Sequence, residues 1–363
     1  MKLNKSDKEV NYVAQQITQL RQKTLKNRKK WSAQNLNKPV AFWTKTERLL
    51  NEIGKEFTII LRTRGCEWAL KHGGCSMCGY IEDAAIENVE SSHIISQFDY
   101  AINQTVNKIK NSNDRYVLKI FNSGSFFDDN EITSVVREHI YRKIAEIREI
   151  TEFSMESRVE YITQDKLDQI NQFIPDKHVE VGIGLESVTN HIRNTYINKN
   201  VSYADFIESI NLCARNRIGS KIYLLFKPPF LNEQAAIDDC ASSIKEISNL
   251  KVNTISINPC NIQKGSLIEY LWYTNRYRPP WFYSLFDCFK MALTPQTLKK
   301  IRILCDPSGA GSKRGIHNCL RKTCNEKMKH SLREFVFHQD LSQLDQIDYD
   351  CVCKKKYEII RSS

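Results

Sequence analysis

Cys66, Cys75 and Cys78 fall within L-R-T-R-G-C-E-W-A-L-K-H-G-G-C-S-M-C-G-Y (residues 61–80), with eight residues in the first gap and two in the second. Thiolates are soft ligands suited to zinc and to iron–sulfur clusters. Three of them in one glycine-bounded loop, directly after the apolar run Phe57 to Leu61, suit a metal or an iron–sulfur cluster. Three thiolates hold three irons of a 4Fe–4S cube and leave the fourth iron open to a small molecule. A Cys75-x-x-Cys78 redox pair would leave Cys66 without a task, and a zinc site would want a fourth ligand such as His72.

A second cysteine set lies near the end of the chain. Cys319 and Cys324 with Cys351 and Cys353 make a four-thiolate group, with Cys305 and His317 as competing ligands. Zinc is the first reading and a second iron–sulfur cluster the rival. Cys213, Cys240, Cys260 and Cys288 are scattered and read as small buried hydrophobes. No apolar run approaches the roughly 18 residues of a membrane span, and M-K-L-N-K-S-D-K-E-V lacks the apolar stretch of a secretion signal. The expected compartment is the cytoplasm, where twelve cysteines read as ligands rather than disulfides.

The 363 residues carry a formal net charge of +11, which favours an anionic partner, nucleic acid before membrane. The basic run Arg21, Lys23, Lys26, Arg28, Lys29, Lys30 reads as a solvated helix face or an RNA-contacting arm. Trp272, Tyr273, Tyr277 and Trp281, interleaved with Arg276 and Arg278, suit base stacking or the packing of an extension. Lys354, Lys355 and Lys356 are placed to meet an RNA backbone. Ser308 to Gly315 is rich in glycine and lysine but fails the phosphate-loop spacing.

Strand-like runs at 57–61, 116–121, 151–155, 179–183, 221–226 and 252–257 alternate with segments of helical period, such as Ile94, Ile95, Phe98, Ile102, Val106, Ile109 and Ile132, Val135, Val136, Ile140, Ile144, Ile147. Six β–α alternations imply a parallel sheet with right-handed crossovers. Reactive groups of such folds gather at the carboxyl ends of the strands. Those ends carry the cysteines, then Asn122, Ser123, Gly124 and Ser125, then Glu156 and Arg158, then Glu186 and Ser187, then Lys227-Pro228-Pro229, then Asn258-Pro259. The division is a basic, helical extension over 1–50, the α/β unit over 51–262, and a cysteine-rich extension over 263–363.

These stretches resemble the radical S-adenosylmethionine enzymes, in the branch related to the elongator catalytic subunit, whose first cysteine gap is lengthened beyond the common C-x3-C-x2-C. Within that branch, V-G-I-G-L-E-S, I-N-K-N, I-N-P-C-N-I-Q-K-G-S and C-D-P-S-G-A-G-S-K-R-G-I-H-N-C resemble the archaeosine-forming tRNA-modification enzymes from about residue 40 onward. Met77 departs from the aromatic that often precedes the last cysteine. The resemblance implies a partial (β/α)6 TIM-like barrel and a 4Fe–4S cluster on Cys66, Cys75 and Cys78. It implies S-adenosylmethionine held near Asn122 to Ser125, Glu156, Arg158, Glu186 and Ser187. It further implies cleavage of a carbon–nitrogen bond in a lysine-modified 7-deazaguanine of tRNA, after a separate lysine-transferring subunit has acted and with an electron donor. The alternatives are a related radical enzyme with another tRNA substrate, or a non-enzymatic zinc-stabilised RNA-binding protein.

Overall fold

Eight strands, most of them short runs of Val, Ile, Leu and Phe, build one sheet. They are β1 (Ala41–Arg48), β2 (Ile53–Ile60), β3 (Tyr116–Phe121), β4 (Ile150–Glu156), β5 (His178–Glu186), β6 (Gly219–Phe226), β7 (Thr254–Pro259) and β8 (Arg302–Leu304). The computed structural model describes residues 5–26, 31–87, 89–345 and 351–361; Arg28, Lys29 and Lys30 of the basic run lie outside them. Strands neighbour one another in sequence order. β1 pairs antiparallel with β2, from Ala41 opposite Ile60 to Arg48 opposite Ile53. Every later pair is parallel.

Helices Ser91–Lys110, Ser134–Ala145, Gln164–Phe173, Tyr203–Arg215 and Glu233–Ile247 each carry the chain from one parallel strand to the next. Ile94, Phe98, Ile102 and Ile109 of the first are buried, as are Val136, Ile140 and Ile144 of the second, while Val135 points outward. Full burial of each such side chain contributes about 1.5–3 kcal/mol. Ser202 and Asn232 cap the last two crossover helices by accepting from Asp205 N and Ala235 N.

The sheet curls into a partial barrel, and its interior charges show how far. On β8, Arg302 Nη1 donates to Glu152 of β4 at 2.9 Å and Nη2 to Glu180 of β5 at 2.5 Å. In a flat sheet β8 and β4 would stand about 19 Å apart at about 4.8 Å per strand, beyond the reach of any side chain. Arg302 also donates to the carbonyl of Arg48, so the β8 edge comes back toward β1. Lys119 of β3 joins this buried group through Glu47 of β1 and Glu56 of β2. Burial works against the Glu180 charge, but Arg302, with His178 and Thr254, brings it down to about 2. Burial likewise opposes the Glu47 charge, and Lys119 holds it at about 2.

β1 lies inside the stretch expected to be a helical extension, and β8 inside the carboxyl-terminal one, so the sheet runs past both expected boundaries. The reason is chemical. Trp43 donates to Glu56, Lys45 pairs with Glu56, and Glu47 binds Lys119. A strand whose partners are interior charges carries no apolar alternation. The helical part of the extension, Lys5–Lys26, packs against the cysteine loop.

Candidate active site

The cysteine loop leaves the carboxyl end of β2. Gly65 sits at φ 104° just ahead of Cys66, which opens the short helix Glu67–His72, and Gly73 and Gly74 at φ 81° and 83° turn the chain back toward Cys75. That left-handed pair suits residues without a Cβ. Cys78 N donates to Cys75 O at 3.1 Å. The loop is pinned from several sides. Ser76 N donates to Ile197 O, Asn198 Nδ2 to Gly74 O, and Trp68 Nε1 to Asn198 O. Gln263 accepts from Gly79 N at 2.6 Å.

Arg21, read from sequence as part of a solvated or RNA-facing run, is instead buried. Its guanidinium donates to Gly73 O at 3.0 Å and Cys78 O at 2.6 Å. Lys23 and Lys26 of the same run are exposed. Burial pushes the Cys66 thiol up to about 12, with Glu131, Cys75 and Cys78 adding and the Ala69 amide opposing. Burial also raises Cys78, again with Cys75 adding. His72 stays exposed, its ring 4.6 Å from that of Trp68.

The strand ends of β3 to β5 face this loop. A Cβ on Gly124 would stand 2.8 Å from Cys66 Cα and run into the Glu131 carboxylate. Glu131 organises the 122–125 turn. It accepts from Thr63 Oγ1 at 2.6 Å, Asn122 Nδ2 at 2.9 Å and Ser125 N at 2.9 Å. Burial raises it to about 6 against those three bonds. Among the described residues, Asn122 Oδ1 is buried and has no partner. Ser125 Oγ accepts from Arg158 N, and Ser123 Oγ donates to Tyr80 O.

Glu156, at the end of β4, is raised by burial against the opposing effects of Tyr223, Lys221 and Lys199. The Arg158 guanidinium donates to Lys199 O and sits 5.4 Å from the Trp68 ring, with Glu160, Cys75 and Cys66 raising it against burial. Glu186 takes a left-handed backbone at φ 69° and pairs with Lys199 at 2.7 Å. Lys199 is raised, burial being outweighed by Glu186 and Cys75 together. Ser187 turns away: its hydroxyl donates to Asp239 on the helix behind the sheet.

Thus Gly124 closes on Cys66 and Arg158 on the Trp68 ring of the cysteine loop, Asn122 shares Glu131 with Thr63 at the start of that loop, Glu186 pairs with Lys199, and Ser187 serves the helix contact. Sequence reading missed Arg21, Thr63, Glu131 and Lys199 as site residues. Lys199 stood in the I-N-K-N segment, a cue that was present but unassigned. For Glu131, six residues past Ser125, no pattern marked it.

At the other end of the chain, Cys319, Cys324, Cys351 and Cys353 come together with their sulfurs all within 4.8 Å of one another. His317 Nδ1 is engaged with Gly315 O, and Cys305 lies near Cys240 and Cys288 instead, so neither competing ligand joins the group. The aromatic stretch divides. Tyr277 and Trp281 are buried, Tyr277 donating to Lys227 O and Arg278 lying 3.9 Å over the Trp281 ring; Tyr270, Tyr273 and Arg276 remain exposed. Among the described residues no helix is long and apolar enough to cross a membrane.

No protein-family model matches the chain. It is 40% identical over 339 residues to an uncharacterised protein of Methanocaldococcus jannaschii, covering 93% of this chain and 90% of that protein. It is 35% identical over 325 residues to archaeosine synthase subunit beta of Methanosarcina acetivorans, covering 89% and 91%. Against archaeosine synthase subunit beta of Thermococcus kodakarensis the identity is 32% over 318 residues, covering 88% and 96%. Among solved structures, Methanocaldococcus infernus Elp3 with an amino-terminal deletion superposes with a TM-score of 0.46 at 14% identity, covering 66% of this chain and 58% of that one.

Proposed function

The chain belongs to the family of archaeosine synthase beta subunits, and from that premise we propose that it is a radical S-adenosylmethionine enzyme that modifies tRNA. What supports the reading is the cysteine loop at the carboxyl end of β2, with the Gly124 backbone of the next strand end closed onto Cys66 and Asn122 Oδ1 buried without a donor among the described residues. The donor set, three thiolates with a buried amide oxygen free to accept nearby, fits a 4Fe–4S cluster with S-adenosylmethionine beside it. When bound, the pair supplies a one-electron split of the sulfonium that yields methionine and a 5′-deoxyadenosyl radical.

The protein's own residues bind, orient and exclude water. Cys66, Cys75 and Cys78 would hold the cluster, and Arg21 fixes their loop through two carbonyls. Asn122 Oδ1, buried and free to accept, would take the methionine ammonium of the cosubstrate, and Arg158 and Glu156 would serve its carboxylate and ribose hydroxyls. The Glu186–Lys199 pair holds the β5 end in its left-handed turn and shields the site from solvent. With cluster and cosubstrate bound, the site would act on the lysine adduct of a 7-deazaguanine in tRNA, breaking its carbon–nitrogen bond to leave the archaeosine amidine on the tRNA and release the lysine carbon skeleton. A lysine-transferring subunit supplies that substrate, and a separate donor supplies the electron.

The test is anaerobic incubation of the protein with lysine-adduct tRNA, S-adenosylmethionine and dithionite, followed by nucleoside mass spectrometry. Archaeosine should replace the adduct. An unchanged adduct alongside turnover of a different nucleoside would favour another tRNA substrate for the same barrel.

A further inference from the structure

We infer that Cys319, Cys324, Cys351 and Cys353 bind one tetrahedral zinc ion, a redox-inert structural centre separate from the Cys66–Cys75–Cys78 site. The distances carry this. Four thiolates about 2.3 Å from a central zinc stand about 3.8 Å from one another at the corners of a tetrahedron. The Cys319 and Cys351 sulfurs are 3.7 Å apart and those of Cys324 and Cys353 3.9 Å, and all four lie within 4.8 Å. The thiolates of a four-iron cube sit outside its corners, too far apart to match. A disulfide needs about 2.05 Å, and all four cysteines are free.

The surroundings are built for thiolates. Asn318 Nδ2 donates to Cys324 Sγ at 3.8 Å, and the Tyr283 hydroxyl lies 3.6 Å from Cys353 Sγ. Such outer contacts orient ligands and stabilise their charge. The same residues tie the centre to the barrel. Asn318 Oδ1 accepts from Phe282 N at 2.9 Å, at the start of the helix Phe282–Ala292. Its carbonyl accepts from Arg278, whose own carbonyl accepts from Lys227 at the end of β6. Cys353 opens the helix Cys353–Arg361, which Arg361 and Tyr357 fasten to Asp287. The ion therefore clamps the last helix and the start of Lys322–His338 onto one wall of the barrel. Because zinc does not change oxidation state, this centre passes no electrons to the substrate.

The experiment is metal analysis of the full chain purified without added metal, alongside cobalt exchange. About one zinc per chain is expected, together with the strong charge-transfer and visible bands of tetrahedral cobalt thiolate after exchange. In the double variant Cys351→Ser/Cys353→Ser zinc should fall to near zero while iron stays, and in Cys75→Ala iron should fall while zinc stays. Should the double variant fail to fold, the zinc count and cobalt spectrum of the unaltered protein still decide. Absence of zinc, with iron near eight or with cobalt giving no tetrahedral spectrum, would overturn the inference. Zinc without iron would sink the radical reading and leave this one standing.

Discussion

Replacing Lys199 by Met tests how the β5 end is held. Lys199 Nζ meets Glu186 at 2.7 Å, with both side chains nearly closed to solvent. Met keeps most of the apolar stem and removes the charge, leaving Glu186 buried and unpaired in a left-handed turn. Breaking a buried pair from one side costs about 3–5 kcal/mol. For 363 residues the unfolding entropy is about 0.76 kcal/mol per kelvin at about 2.1 cal/mol/K per residue. The melting temperature should therefore drop by about 4–7 °C. Adding Glu186→Gln removes the stranded charge, so the double variant should recover about half of the loss. The assay is calorimetric melting of the four proteins of the cycle under anaerobic conditions. Independent, additive losses from the two substitutions would refute the coupling, as would a Lys199→Met protein that melts with the unaltered one.

Three other outcomes follow from the same geometry. Arg21→Leu removes two hydrogen bonds from a charged donor, each worth about 1.5–3 kcal/mol, and should loosen the cysteine loop so that iron is lost on gel filtration; full iron retention would contradict the role. Gly124→Ala places a Cβ 2.8 Å from Cys66 Cα, so binding of S-adenosylmethionine measured by calorimetry should weaken at least about tenfold (about 1.4 kcal/mol) while far-ultraviolet circular dichroism is unchanged. Glu180 and Glu47, both held at about 2, sit below the ordinary value for Glu. Their stabilisation is thus complete above about 4.5 and is lost as pH falls toward 2. Denaturant titration should show that loss, and Arg302→Met should flatten the Glu180 part of it.

The parallel core and its mouth were legible because β2 to β7 are apolar runs ended by polar or glycine-rich residues, and the crossover helices carry a clear 3.6-residue stripe. β1 and β8 were not, because they face an interior of charges. Glu47 and Arg302 look like surface residues until the sheet curls and Lys119, Glu152 and Glu180 meet them, while Trp43 and Lys45 are exposed and reach Glu56 from the outside. The cysteines and strand-end turns announced themselves by type and spacing. Glu131 and Arg21 did not, since Arg21 acts by holding two loop carbonyls and Glu131 by gathering Thr63, Asn122 and the Ser125 amide, groups brought together only by tertiary folding. The four late cysteines were visible as a set. Their sulfur separations, which only the fold supplies, carry the single-ion proposal.

The central claim is that Cys66, Cys75 and Cys78 hold a cluster whose remaining iron is open to S-adenosylmethionine. Electron paramagnetic resonance of the reduced, anaerobically reconstituted protein addresses it directly. The reduced-cluster signal should shift when S-adenosylmethionine is added and disappear in Cys75→Ala. A signal indifferent to S-adenosylmethionine, or one that survives that substitution, would contradict the account.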